Sequence, residues 1–126
     1  MEKKIVFTGN APKPIGPYNQ AVLVNGTLYC SGQIAIDPAT GEMVQNNIES
    51  ETVQVMKNMA EVLKAADMDF SNVVKVGIFV TNMGQFSQIN QVYATYFDDN
   101  FPARETVEVS ALPKGANVEI SMVAVK

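Results

Sequence analysis

Residues 73–97 read VVKVGIFVTNMGQFSQINQVYATYF. The first eight, Val73–Val80, are rich in β-branched residues, which favour a pleated and at least half-buried strand. Thr81 or Asn82 then offers a side-chain oxygen as an N-cap. After it, Met83, Phe86, Ile89, Tyr93 and Phe97 recur at three- and four-residue steps, the spacing of one helix face. A strand that runs straight into an amphipathic helix, in a chain of 126 residues, points to a sheet covered by helices.

The flanking sequence extends this pattern. Upstream, Ile48–Met68 predicts a second helix: Thr52, Val55, Met56, Met59, Leu63 and Ala66 share a face, and Glu49 and Glu51 lie in the first turn, where the helix dipole favours acids. Before it, Lys3–Phe7 reads as a short strand. Gly9–Pro17 holds three prolines and two glycines in nine residues and predicts a stiff loop. Tyr18–Val24 and Thr27–Gln33 are apolar-rich runs joined by Asn25-Gly26, a strong hairpin signal. Asp37-Pro38-Ala39-Thr40-Gly41 is a turn. Downstream, Arg104–Val109 and Val118–Val125 are the last strands, linked by a loop containing Leu112-Pro113-Lys114-Gly115. The order β-β-β-α-β-α-β-β predicts one α+β domain over residues 1–126, with both helices on one face of the sheet.

The second face of that sheet is partly apolar too. In Val118–Val125 the even positions are Val118, Ile120, Met122 and Ala124, while the odd ones still include Val123 and Val125. In Val73–Val80 one face carries Val74, Val76, Ile78 and Val80, and the other carries Val73 and Phe79. Two helices cannot cover both sides. Burying apolar surface is worth ~25 cal/mol per Å2, so the uncovered side is expected to pack against other copies of the chain.

Composition excludes several kinds of chemistry. There is no histidine and a single cysteine, Cys30, so Ser-His-Asp and Cys-His arrangements and the common zinc sites lack their ligands. Any acid or base must be a carboxylate, lysine, tyrosine, the cysteine or water. The net charge of −4, with no lysine cluster longer than two, argues against a nucleic-acid partner. No apolar run is long enough for a membrane span, and Met1-Glu2-Lys3-Lys4 leads into a short strand rather than a signal core; the expected location is the cytosol.

Among possible site residues Arg104 stands out. It is the only arginine beside eight lysines, and it follows Pro102, which stiffens the start of its strand. A planar fork of donors suits a carboxylate held at two points. Glu119 lies inside the apolar run NVEISMVAV, where a carboxylate needs a partner or a task. Tyr18, in IGPYNQAV, stands where the stiff loop becomes a strand. Ser31-Gly32 follows the apolar LYC, and Gly32 marks either a bulge or a close ligand approach. Asn90 lies on the second helix. Cys30 reads as a small buried hydrophobe.

In order and spacing, IGPY at 15–18, SGQI at 31–34, the DPATGE turn, INQVY at 89–93, PAR at 102–104, VEV at 107–109, LPKG at 112–115 and VEI at 118–120 resemble the Rid (YjgF) family of enamine/imine deaminases. The resemblance covers nearly the whole chain. It implies a chorismate-mutase-like α+β subunit in a homotrimer, sheets inside and helices outside, with three clefts between neighbours. It implies hydrolysis of 2-iminobutanoate or 2-iminopropanoate to the 2-oxo acid and ammonia, with no metal or organic cofactor. Arg104 would hold the substrate carboxylate with help from the Thr106 backbone, and Glu119 would position or activate water. Tyr18, Ser31 and Gly32 would line the cleft, with Asn90 close by. Thr106 stands where many members have cysteine, and Glu105 where many have a small residue. Strand alternation points Glu105 away from Arg104. Two other functions are compatible with such a fold: chorismate mutase, for which one arginine is too few, and a non-enzymatic binder of small carboxylates. Whether Arg104 and Glu119 meet within one chain or across an interface is open at this level.

Overall fold

A computed structural model describes residues 1–126. Its elements are β1 (Lys4–Val6), β2 (Ala21–Val24), β3 (Thr27–Gln33), α1 (Ile48–Ala65), β4 (Val73–Val80), α2 (Phe86–Ala94), β5 (Ala103–Glu108) and β6 (Val118–Val125). The strands form one mixed sheet in the order β1-β2-β3-β6-β4-β5. Only β4 and β5 run parallel, joined through α2, as a parallel crossover requires. Asn25 and Gly26 both take positive φ, 50° and 81°, and close the β2–β3 hairpin.

Both helices lie on one face. Val55, Met56, Met59, Val62 and Leu63 of α1 and Ile89 and Tyr93 of α2 join Leu28, Val76, Ile78, Val80, Ile120 and Met122 of the sheet in one buried cluster. No helix is long and apolar enough to cross a membrane.

Local differences from the sequence reading have local causes. Helix α1 stops at Ala65 because Asp67 turns left-handed, φ 57°, and Met68 N–H bonds back to Leu63 O at 3.0 Å. A 3-10 turn, Met83–Gln85, capped by Asn82, precedes α2, and Phe97 lies beyond its end yet packs on Phe70 and Tyr93. Tyr18 stays in the loop, because pairing with β1 and β3 begins at Ala21. A register shift between Val73 and Lys75 reverses the assignment of the first two valines of β4: Val73 is 6% exposed and Val74 49%.

The second face of the sheet is bare in the single chain. Tyr29, Val107 and Val125 are 53%, 42% and 43% exposed there. Among them sits an ion pair, Lys75 Nζ to Glu105 Oε1 at 3.0 Å.

Candidate active site

Arg104, Thr106 and Glu108 lie beside Val76, Ile78 and Val80 in register, so their side chains rise on the helix side of the sheet. The Arg104 guanidinium is held from three directions. Its Nη1 donates to Asn90 Oδ1 at 2.7 Å, and its carbon lies 5.2 Å and 5.1 Å from the ring centres of Phe86 and Tyr93. These three residues sit one turn apart on α2, so one helix face positions one cation. The start of that helix is tied to the same strand, since the backbone N–H of Met83 donates to Glu108 Oε1 at 2.8 Å. Arg104 has no acidic partner, because the one ion pair of the chain is Lys75–Glu105 on the opposite face. Glu105 therefore leaves the guanidinium free.

Arg104 opens into a cavity of about 370 Å3, lined by Asn90, Tyr93, Ala94, Phe101 and Pro102. Tyr93 is 2% exposed, and its hydroxyl and the Thr106 hydroxyl are both buried without a hydrogen-bond partner. Burial raises the Tyr93 phenol, with the nearby Arg104 cation opposing the rise. Strand β5 is a sheet edge. Val109 turns its N–H inward to Val80 O at 2.8 Å. Backbone direction alternates along a strand, so Val107 and Glu105 also face inward, and the Thr106 N–H faces the open edge.

Glu119 belongs to a different cavity. It pairs in register with Phe79, on the bare face, and lines about 310 Å3 together with Tyr18, Gly32, Gln20, Ile36, Lys13 and Lys114, among others. Burial pushes its carboxyl above the ordinary glutamate value. Gly32 lies in a register shift between Cys30 and Gln33, and a Cβ there would stand 2.7 Å from Glu119 Oε2. The missing side chain is the space that the Glu119 carboxylate occupies. The Ser31 hydroxyl donates to Asn19 O at 2.6 Å, which anchors the segment carrying Tyr18 rather than lining the cavity.

The tether of Glu119 was not legible in the sequence. Glu51, on α1, is 1% exposed, and its two oxygens accept from Asn117 N–H at 2.7 Å and Asn117 Nδ2 at 2.8 Å. Asn117 immediately precedes β6 and so fixes where Glu119 emerges. Gln20 does the same for the proline-rich loop: its Nε2 donates to Thr8 O at 3.0 Å and Pro12 O at 2.9 Å. Their polarity gave no warning, since Glu51 reads as an ordinary first-turn acid. Cys30 is buried in the core, and desolvation pushes its thiol up to about 12.

No residue lines both cavities. Within one chain, Arg104 with Asn90 and Glu119 with Tyr18 and Gly32 therefore line two separate cavities.

The family model described as Endoribonuclease L-PSP matches residues 8–126. The 2-iminobutanoate/2-iminopropanoate deaminase of Homo sapiens is 47% identical over 124 residues, covering 98% of this chain and 90% of the human protein. Among solved structures, the Rid-family protein YyfA of Yersinia pestis matches with a TM-score of 0.96 at 53% identity, covering 99% of this chain and 100% of that one. E. coli TdcF with bound serine matches with a TM-score of 0.93 at 34% identity, covering 98% of each chain.

Proposed function

The chain belongs to the Rid (YjgF) family, and from that membership we propose that it hydrolyses reactive 2-imino and enamine acids, 2-iminobutanoate and 2-iminopropanoate, to 2-oxo acids and ammonia. The observation that carries the reading is the Arg104 fork, fixed by Asn90 and two aromatic rings and free of any acid of its own chain. Such a fork fits the carboxylate of a small amino-acid-like anion. The serine bound in E. coli TdcF is an amino acid of that size and carries such a carboxylate.

The two half-sites complete each other when chains assemble. The bare sheet face, with Tyr29, Val107 and Val125 exposed, supports packing of sheets at the centre of a homotrimer. Arg104 of one subunit and Glu119 of its neighbour then share one cleft. The substrate carboxylate lies on the guanidinium and the Thr106 N–H. Glu119 accepts a proton from water as the water oxygen bonds to the electrophilic imine carbon. The proton passes to nitrogen to give a carbinolamine, the hydroxyl proton follows it to the amino group, and the C–N bond breaks, releasing ammonia as the 2-oxo group forms. Holding the anion and the water in one geometry supplies most of the acceleration, with proton transfer adding about 10²–10⁴-fold. Tyr18 and the Gly32 backbone close the cleft. The cytosol, where pyridoxal-phosphate enzymes release such imines, is the site of action.

A nuclease activity, as in the family description, finds no support in a chain of net charge −4 without histidine. The test is a threonine dehydratase reaction followed by the appearance of 2-oxobutanoate. Faster appearance with this protein at pH 7–9 is expected. An unchanged rate leaves a carboxylate binder and rejects the hydrolase.

A further inference from the structure

Two lysines share the Glu119 cavity, Lys13 and Lys114, and neither has a carboxylate partner. Both also line an adjoining cavity of about 250 Å3, reached past Pro12, Ile15 and Ile36, which border the two spaces in common. A passage bordered by apolar residues therefore leads away from Glu119, with Lys13 and Lys114 at the exposed rim of both spaces.

Neither lysine sits on slack backbone. Lys13 lies between Pro12 and Pro14, and Gln20 Nε2 holds the Pro12 carbonyl at 2.9 Å. Lys114 takes a left-handed conformation, φ 56° and ψ 29°, which glycine or asparagine would adopt at lower cost. Next to it, Gly115 O accepts from Gln45 Nε2 at 2.9 Å. Lys114, on a backbone that disfavours any residue with a Cβ, and Lys13, held by two prolines, thus supply two fixed lysine positions on one cavity. The cavity counts one carboxylate, Glu119, against two lysines along its walls, which leaves room for one more negative charge.

Resting on the imine-hydrolase reading, we propose that Lys13 and Lys114 form a second anion subsite, which receives the distal carboxylate of a 2-imino dicarboxylic acid. The substrate's first carboxylate lies on Arg104 of the neighbouring subunit. Its methylene stem runs along Ile15 and Ile36, and its far carboxylate lies between the lysines. The substrates are then imines of acidic amino acids as well as small neutral ones.

Titration calorimetry with two stable 2-oxo acids tests the subsite without relying on turnover. The wild-type protein should bind 2-oxoglutarate about 5- to 10-fold more tightly than 2-oxobutanoate, the scale of partly screened charge contacts, with a preference that fades as salt rises. Lys13→Gln combined with Lys114→Asn, which tolerates the left-handed backbone, should abolish that preference and leave 2-oxobutanoate binding unchanged. Equal binding of the two acids by the wild type, or equal weakening of both in the double variant, overturns the subsite. Hydrolysis of 2-iminobutanoate is scored separately. A protein that hydrolyses it but shows no preference loses this subsite alone; one that shows the lysine-dependent preference but hydrolyses no imine loses the parent reading alone.

Discussion

The separation of Arg104 from Glu119 within one chain makes subunit complementation a sharp test. Arg104→Ala removes the anion clamp, and a charged hydrogen bond of this kind is worth about 1.5–3 kcal/mol, or a roughly 10- to 150-fold loss in kcat/KM. Glu119→Gln removes the base and should cost about 10²–10⁴-fold. Each variant alone is then nearly inactive. Arg104 and Glu119 line separate cavities of one chain, so in the proposed trimer every complete cleft would draw Arg104 from one subunit and Glu119 from the next. In a ring assembled at random from equal amounts of both variants, a cleft is intact when its Arg104 donor is the Glu119→Gln chain and its Glu119 donor is the Arg104→Ala chain. Each condition holds half the time, so about one quarter of clefts are wild type in composition. Co-refolded mixtures should recover about 25% of wild-type 2-iminobutanoate hydrolysis in the dehydratase-coupled assay, from parents far below that. Native mass spectrometry, which resolves the Arg→Ala mass difference, confirms that mixed oligomers formed. Mixed trimers with no more activity than the average of their parents would refute the shared cleft.

Four further outcomes follow from the same geometry. Gly32→Ala places a Cβ 2.7 Å, 2.8 Å and 2.9 Å from Glu119 Oε2, Cδ and Cγ, so the whole Glu119 side chain must turn away and hydrolysis in the coupled assay should fall toward the Glu119→Gln level. Burial raises the Glu119 carboxyl, so the wild-type kcat/KM should decline as pH falls through a value above the ordinary ~4.3, and Glu119→Gln should lack that limb. The sign for stability runs the other way: the folded chain binds this proton more tightly than the unfolded one, so its ionisation costs stability as pH rises from ~4.3 through the raised value. Glu119→Gln should therefore melt higher than wild type at pH 8 and equal to it near pH 4, as read by calorimetry. Cys30, buried and with its thiol pushed up to about 12, should react with a thiol reagent at pH 8 only after denaturation; rapid labelling of the native protein would show that the strand opens.

Much of this was legible from residue order because it rests on short-range chemistry. Asn25-Gly26 permits the positive φ values that a two-residue hairpin needs, strands β4 and β6 occupy the spans that their β-branched runs indicate, and β3 occupies the span of the apolar-rich run after the turn. Periodicity also placed Met56, Met59 and Ile89 in the core, and alternation placed Glu105 on the face opposite Arg104. Val74 escaped this logic, since a register shift set by pairing with β6 reverses the alternation and only the partner strand determines where that shift falls. Glu51 escaped it because its partner, Asn117, lies 66 residues away. The division of the candidate site was equally hidden. Arg104 and Glu119 each look like functional residues locally, but the sheet face each one occupies follows from the register of its pairing with β4, Arg104 beside Val76 and Glu119 beside Phe79. Local sequence determines which backbone conformations are cheap, whereas the placing of two distant side chains on opposite sides of one sheet is a long-range pairing choice, made only when the whole core closes.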